Sequence, residues 1–351
     1  QYDISKWNKS YIMDSKTRLQ QAVSTLKGQK ILLCPLNWGL GHATRCVPIV
    51  QELLRQGKEV VIAADGFALE FLKQEFPDLK AIKFIGMKVK YSKSNSQVKV
   101  LVKKIPYFLK SITSEHRRLK KLVAKHHIDT VISDNRFGLW NKKVETVYIT
   151  HQLLIKMPPE LKFAERIAWF VHRSIIHRYN HCWIPDVPGN DNLSGDLSHL
   201  WKLPKNAVFV GWLSRFQNDR QQDKTPIPYE IVVLLSGPEP QRSMLEHKFV
   251  NYLRDNLFPS LIVRGIPSKK PKIMKIGNID LVPHINTQEM QRIILNAPTL
   301  FCRSGYSTLM DLMTLGKKAV LVPTPGQTEQ EYLANHLKTN GFKVLNQNDL
   351  E

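Results

Sequence analysis

Short apolar runs alternate with stretches of helical spacing along nearly the whole chain, and this alternation restricts the fold more than any other feature. The runs fall at 31–36, 60–64, 81–85, 130–133, 144–149 and 182–185, then at 231–235, 261–263, 279–282, 300–302 and 319–322. Helical patterns separate them, the first set at 43–55, 67–75, 98–125 and 160–179. Continuous runs of Val, Ile and Leu fit strands buried on both faces, which is the condition of a parallel sheet covered by helices. The pattern predicts an α/β chain of two Rossmann-like, doubly wound domains joined around residues 205–228. At 351 residues and 42% apolar, the chain can bury two such cores. The expected division is residues 28–210 and 211–351. Residues 1–27 fit neither domain and read as an extension or leader, with Asp14 capping a short helix through Leu26.

The first run leads into Gly39-Leu40-Gly41-His42-Ala43-Thr44-Arg45. A strand that enters a helix through Gly-x-Gly presents bare N–H groups and a helix N-terminus to an anion. Gly39 and Gly41 allow close approach, and His42 adds an imidazole, the side chain suited to proton transfer near neutral pH. Thr44 and Arg45 occupy the place where a dinucleotide fingerprint has its third glycine. The reading is a phosphate loop with a base beside it. Asp134, in Ser133-Asp134-Asn135-Arg136, follows another strand and would orient His42, touch an acceptor or cap a helix. His151, just past the run at 144–149, has the same standing.

Two strand ends in the second domain repeat this logic. Ser236 and Gly237 follow one run, and Arg303-Ser304-Gly305 follows another and opens a helix. Asp311, two turns into that helix, is placed to accept both hydroxyls of a ribose. The loop Pro323-Thr324-Pro325-Gly326-Gln327 leads into a helix that begins with Glu329, Gln330 and Glu331. Loops at strand ends form the crevice where open α/β sheets bind ligands, so the ligand is expected to bridge the domains.

Charge is uneven. Residues 28–150 hold 22 Lys and Arg against 10 acids, and residues 216–351 hold 16 against 13. The excess concentrates in 88–125, where twelve basic residues face Glu115 alone, interleaved with apolar ones such as Leu101, Ile105, Phe108, Leu109, Ile112, Leu119 and Leu122. This pattern suits an anionic membrane surface, with nucleic acid as the alternative and a plain solvated face as the bland reading. No nucleic-acid module accompanies it. The helical stretch with Arg166, Trp169, Phe170, Arg173 and Arg178 could also rest at a lipid interface. His172, His177, His181 and Cys182 cluster there without the spacing of a common zinc site, and packing explains them better. Cys34, Cys46, Cys182 and Cys302 are scattered, as in a reducing compartment. No apolar run approaches about 18 residues, so the expectation is a cytoplasmic protein, soluble or peripheral on the inner membrane face.

Gly39-Leu40-Gly41-His42 with Pro48, the Arg303-Ser304-Gly305-x-x-Thr308 motif, and Pro323-x-x-x-Gln327-x-x-Gln330-x-Tyr332 together resemble the family 28 glycosyltransferases of GT-B fold. The likeness runs in motif order from about residue 29 to 345, and its C-terminal part is the more specific. It implies a nucleotide-sugar donor, UDP-linked, in the C-terminal domain and an acceptor, polyprenyl- or otherwise lipid-linked, in the basic N-terminal domain. By this resemblance Ser236, Gly237, Ser304 and Gly305 contact the diphosphate. Arg215 faces the phosphate, and Arg303 either touches donor or pairs structurally. Ile285 meets the uracil edge through its backbone, Asp311 binds ribose, and Gln327 and Gln330 bind sugar hydroxyls. His42 is the base for the acceptor hydroxyl or a phosphate contact. No cofactor or metal is implied, and no Asp-x-Asp occurs in the chain. The sequence departs from the family in having Asp311 for a Glu, Glu331 for a second Gln, and no long closing helix after Leu345. Two other readings stay open: a nucleotide-sugar hydrolase or epimerase on the same scaffold, since Gly-x-Gly-His-x-x-Arg is similar to such hydrolases too, and a non-catalytic membrane or nucleic-acid binding protein.

Overall fold

The structure, a computed structural model, describes residues 5–87, 97–216, 225–266 and 272–350. Its first sheet holds β1 (Lys30–Pro35), β2 (Glu59–Ala64), β3 (Lys80–Lys83), β4 (Thr130–Asp134), β5 (Glu145–Ile149), β6 (His181–Ile184) and β7 (Ala207–Phe209). All seven are parallel, in the order β3-β2-β1-β4-β5-β6-β7. The second sheet holds β8 (Ile231–Leu234), β9 (Ser260–Val263), β10 (Met274–Ile276), β11 (Ile279–Val282), β12 (Thr299–Cys302), β13 (Val320–Leu321) and β14 (Lys343–Val344), in the order β10-β11-β9-β8-β12-β13-β14. Only β10 runs antiparallel. Strand order reverses between β1 and β4 in one sheet and between β8 and β12 in the other. Those are the switch points where crossover helices diverge and leave a crevice at the strand C-termini.

The helices are α1 (Ser5–Ser24), α2 (Gly41–Arg55), α3 (Gly66–Glu75), α4 (Gln97–His126), α5 (Ala164–Ile176), α6 (Asp196–His199), α7 (Gln241–Arg254), α8 (Thr287–Asn296), α9 (Tyr306–Leu315) and α10 (Thr328–Lys338). The main strands match the apolar runs. Unforeseen are β7, β10 and β14, which are two or three residues long and lie at the sheet edges; of these only β7 sits in an apolar run, Ala207-Val208-Phe209-Val210, and it is short. Helix α5 is shorter than the 160–179 expected and follows a 3₁₀ turn at Pro159–Leu161.

The described part of residues 1–27 is mainly a helix shared between the domains. Helix α1 packs against α2 of the first domain and α9 of the second, burying Leu19, Ala22 and Val23, with Leu26 just beyond its end. Asp14 lies inside the helix and pairs with Arg18 one turn on, so it caps nothing. The apolar spacing of this segment is a seam filler for both domains. At the crossing between domains, Trp212 N–H donates to Ser15 Oγ at 3.1 Å. Gly211 beside it has φ +79°, and a Cβ there would overlap the Ser15 backbone. Gly211→Ala is therefore expected to lower stability by about 3 kcal/mol, read from the urea midpoint, through strain and overlap together.

Helix α4 corrects a second expectation. Leu119 and Val123 are buried against the first sheet and Ile112 and Leu122 partly so, so the C-terminal part of the apolar stripe belongs to the core. Lys110, Arg117, Lys120, Lys121 and Lys125 point to solvent, and Glu115 is buried against Arg136 at 3.0 Å. Lys88, Lys90 and Lys93 lie outside the described residues, as do the side chains of Lys99, Lys103 and Lys104. Among the described residues no helix is long and apolar enough to cross a membrane, and no cluster of metal-ligating side chains occurs. His172 is instead a buried partner of Tyr148 Oη at 3.1 Å, and burial pulls its imidazole down to about 4.

Candidate active site in the interdomain cleft

The two switch points face each other across a cleft of about 440 Å³. On the first domain's side its wall is the turn between β1 and α2. Gly39 adopts φ +92°, and its open side lies against Gly237 of the second domain, itself at φ +98°. Ser307 Oγ on α9 donates to the Gly41 carbonyl at 2.8 Å. At Gly39 and Gly237 it is the positive φ that disfavours a side chain, and a Cβ at Gly41 would crowd Ser307 Oγ at 3.1 Å.

His42 stands in the first turn of α2 and lines the cleft. The register of β1 against β4 sets Asp134 opposite Pro35, directly beneath it. Asp134 is fully buried and does not line the cleft; its carboxylate faces His42 and Arg45. His42 Nδ1 lies 3.2 Å from both Asp134 oxygens. Arg45, one turn further along α2, donates from Nε to Asp134 Oδ2 at 2.9 Å and from Nη2 to Oδ1. Its Nη2 also lies 2.9 Å from His42 Nδ1. Nδ1 serves one neighbour at a time. We assign its proton to the Asp134 carboxylate, because ionised oxygen is the stronger acceptor, and this leaves the Nε2 lone pair for the cleft. Burial opposes charge on Asp134, but Arg45 and His42 outweigh it and hold the carboxyl well below its usual range.

His151 is buried just past β5 and stacks on Tyr306 with ring centroids 3.9 Å apart. Its Nδ1 is 3.2 Å from Arg45 Nη1, and its Nε2 is 2.8 Å from Glu329 Oε1 of α10. Glu329 is the site residue the sequence least revealed: it was visible only as part of a helix start. Arg45 had a signal in its spacing from His42, three positions on and so on the same helix face.

On the second domain's side, α9 begins at Gly305 with no side-chain cap, and no atom would lie within 4 Å of a Cβ added there. Its first-turn N–H groups open on the cleft. Arg215 also lines the cleft, with 8% of its side chain exposed. Its Nε and Nη1 make no hydrogen bond; the nearest carboxylate oxygen, on Asp311, is 3.9 Å from Nε. The guanidinium instead lies over the Phe216 and Phe71 rings. A buried cation with two nitrogens free of hydrogen bonds, sharing a cleft with an uncapped helix N-terminus, has the charge and the donors to hold an anion. Asp311 accepts from Ser214 Oγ at 2.6 Å, and burial pushes its carboxyl up to about 6 against the pull of Arg215.

Four side chains expected at the donor are engaged within the protein. Arg303 is buried and donates to the carbonyls of Val322, Pro323 and Gln241 and to Gln347 Oε1, so it ties β12 to neighbouring loops and does not line the cleft. Ser304 Oγ is likewise committed, to the Gln330 carbonyl at 2.8 Å. Ile285, expected to act through its backbone, packs its side chain on the core, and its neighbour His284 lines the cleft, its imidazole drawn down to about 4 by burial and by Arg215. Gln330 lines the cleft, but its Oε1 accepts from Thr324 N–H at 2.9 Å, which leaves only its amide group for a ligand. Ser236, Gly237, Gly305, Asp311 and Gln327 line the cleft as expected. Glu331, flagged as a departure, accepts from Gly326 N–H at 2.8 Å and holds the loop before α10.

Two parallel-sheet domains with opposed switch points, glycine turns and an anion site define a GT-B glycosyltransferase. Residues 29–149 match the family described as Glycosyl transferase family 1, and residues 269–351 match the Glycosyltransferase family 28 C-terminal domain. An uncharacterized glycosyltransferase of Methanosarcina acetivorans is 23% identical over 342 residues, spanning 89% of this chain and 84% of that protein. A UDP-N-acetylglucosamine–N-acetylmuramyl-(pentapeptide) pyrophosphoryl-undecaprenol N-acetylglucosamine transferase of Desulforudis audaxviator is 37% identical over 93 residues, 26% of this chain and 23% of that one. Among solved structures, the calicheamicin glycosyltransferase CalG4 superposes with a TM-score of 0.57 at 13% identity, covering 93% and 87% of the two chains. The chain is a family 28-like glycosyltransferase of GT-B fold.

Proposed function

We propose that the enzyme moves a glycosyl group from a UDP-sugar in the second domain to the hydroxyl of a lipid-linked acceptor entering along the first. The observation that carries the donor reading is Arg215 beside the uncapped start of α9. Nε2 of His42 takes the acceptor proton as the acceptor oxygen bonds to the anomeric carbon. The bond from that carbon to the diphosphate breaks, and its electron pair goes to a phosphate oxygen. Arg215 and the α9 N–H groups stabilise that developing charge. Asp134 holds the imidazole in place. Asp311 receives the ribose hydroxyls, and Gln327 with the Gln330 amide reaches the sugar. Arg215 and the helix supply the positive charge a metal would bring, so no metal or cofactor enters this scheme.

Met157, Pro158 and Leu161 line the mouth of the cleft, and the surface continues into exposed Phe163, Ile167, Phe170 and Val171 on and before α5, flanked by Lys162 and Arg166. An apolar stripe with basic flanks, continuous with an active site, suits an acceptor whose head is polar and whose tail stays in lipid. This supports a peripheral enzyme at an anionic membrane surface, and the four buried free cysteines fit the cytoplasm. Vesicles containing anionic lipid should bind the protein less as salt rises, and Phe163→Asp with Ile167→Asp should abolish the binding. Sedimentation with vesicles measures both.

The deciding experiment is radiolabelled UDP-N-acetylglucosamine incubated with and without membrane lipid extract, in EDTA. Lipid-borne label supports the proposal; free sugar without lipid indicates a hydrolase, and absence of turnover indicates binding alone. Asp311 adds a pH signature. Its carboxyl binds a proton below about pH 6, and ribose hydroxyls then lose their charged acceptor, so donor KM should rise as pH falls through 6. Asp311→Asn should show high KM at every pH.

A further inference from the structure

We propose that Glu329, carried by the second domain, sets the charge of the site around His42, so that proton transfer from the acceptor is enabled only while the cleft is closed. This rests on His42 being the base. Asp134 by itself cannot supply the required charge, because Arg45 already matches it through two hydrogen bonds. A base whose carboxylate partner is neutralised gains little on taking a proton. Glu329 changes the balance. With Asp134 and Glu329 ionised, Arg45 charged and both histidines neutral, the group carries one net negative charge, and protonation of His42 cancels it.

The connection is geometric. His151 donates from Nε2–H to Glu329 Oε1 and accepts from Arg45 Nη1–H at Nδ1, and its stacking on Tyr306 of α9 fixes the ring. Arg45 Nη1 is thus held by His151, while Nε and Nη2 stay on Asp134. Burial opposes the charge on Glu329, but His151, His42 and Arg45 together keep its carboxyl below the usual range. Among the described residues no other acid takes this place. Lys156, in the loop after β5, is paired with Asp196 at 2.9 Å, and Asp311 is turned to Ser214 and Arg215, with His284 on that same wall. Glu329 lies in the first turn of α10, between Gln327 and Gln330. Thr328 Oγ1 donates to the Lys156 carbonyl at 2.8 Å, and Asp196 N–H donates to Tyr332 Oη at 2.6 Å, so this end of α10 is docked on the first domain. Domain opening would withdraw Glu329 from His151 and leave the group around His42 without net charge.

Glu329→Gln keeps the shape and an acceptor for His151 Nε2–H, and removes only the charge. With UDP-N-acetylglucosamine and lipid extract, the full chain carrying this change should lose about tenfold or more in kcat, with donor KM within about twofold. The acid limb of kcat against pH should move to lower pH, because a neutral His42 is then favoured. Glu329→Asp, which restores the charge, should return kcat to within about threefold of wild type and the limb to its place. Wild-type kcat and limb in Glu329→Gln would overturn the proposal, as would a loss seen in KM and not recovered by Glu329→Asp, which would make Glu329 a sugar contact. NMR of the His42 imidazole with UDP added reports the same displacement without turnover. No difference there between wild type and Glu329→Gln overturns the proposal, whereas the expected displacement in a protein that transfers nothing overturns the donor assignment alone.

Discussion

Alanine at position 42 is expected to lower kcat by about 10²–10⁴-fold while UDP still binds. The imidazole has no substitute, since the other titratable groups near it are committed: Asp134 to Arg45, and His151 to Glu329. Donor binding persists because Arg215, the start of α9 and Asp311 all sit on the other domain. Thermal shift with UDP and turnover in the same variant separate the two effects. Loss of UDP binding in His42→Ala would assign the ring to a phosphate and leave the base unidentified.

Arg215→Ala should lower kcat/KM by about 10²–10³-fold, with the loss shared between donor binding and the chemical step. The side chain is nearly sealed from water, with two nitrogens free of hydrogen bonds. The folded protein bears that cost before any donor arrives, and an anion in the cleft relieves it. Without donor, Arg215→Met should for that reason be no less stable than wild type, because it removes an unsatisfied charge and keeps contact with Phe71 and Phe216. A large fall in its melting temperature, with donor affinity unchanged, would show the guanidinium to be a structural brace.

How far the sequence reached follows from what local spacing can encode. Long buried strands announce themselves by composition, and Gly39 and Gly237 by turns that favour glycine, so both switch points could be placed in advance. Direction is harder. Successive side chains at a strand end turn opposite ways, and of Arg303, Ser304 and Gly305 only the last lines the cleft. Glu329 was out of reach for another reason: its partner His151 lies 178 positions away on another domain, and no periodicity reports how two domains dock. Helix α1 was misjudged because half of its apolar face answers to each domain, and neither pattern alone claims it.

The position of α1 has a practical corollary. It roofs both lobes at once, wedged over α2 on one side and α9 on the other, with Ser15 latched to the strand of chain that connects them. Neither lobe, expressed as a separate fragment, would possess a finished exterior: the piece lacking α1 would present a bare greasy trough to water, and the piece retaining it would carry a half-naked rod. The molecule is divisible on paper into two nucleotide-fold halves, yet a single helix closes both.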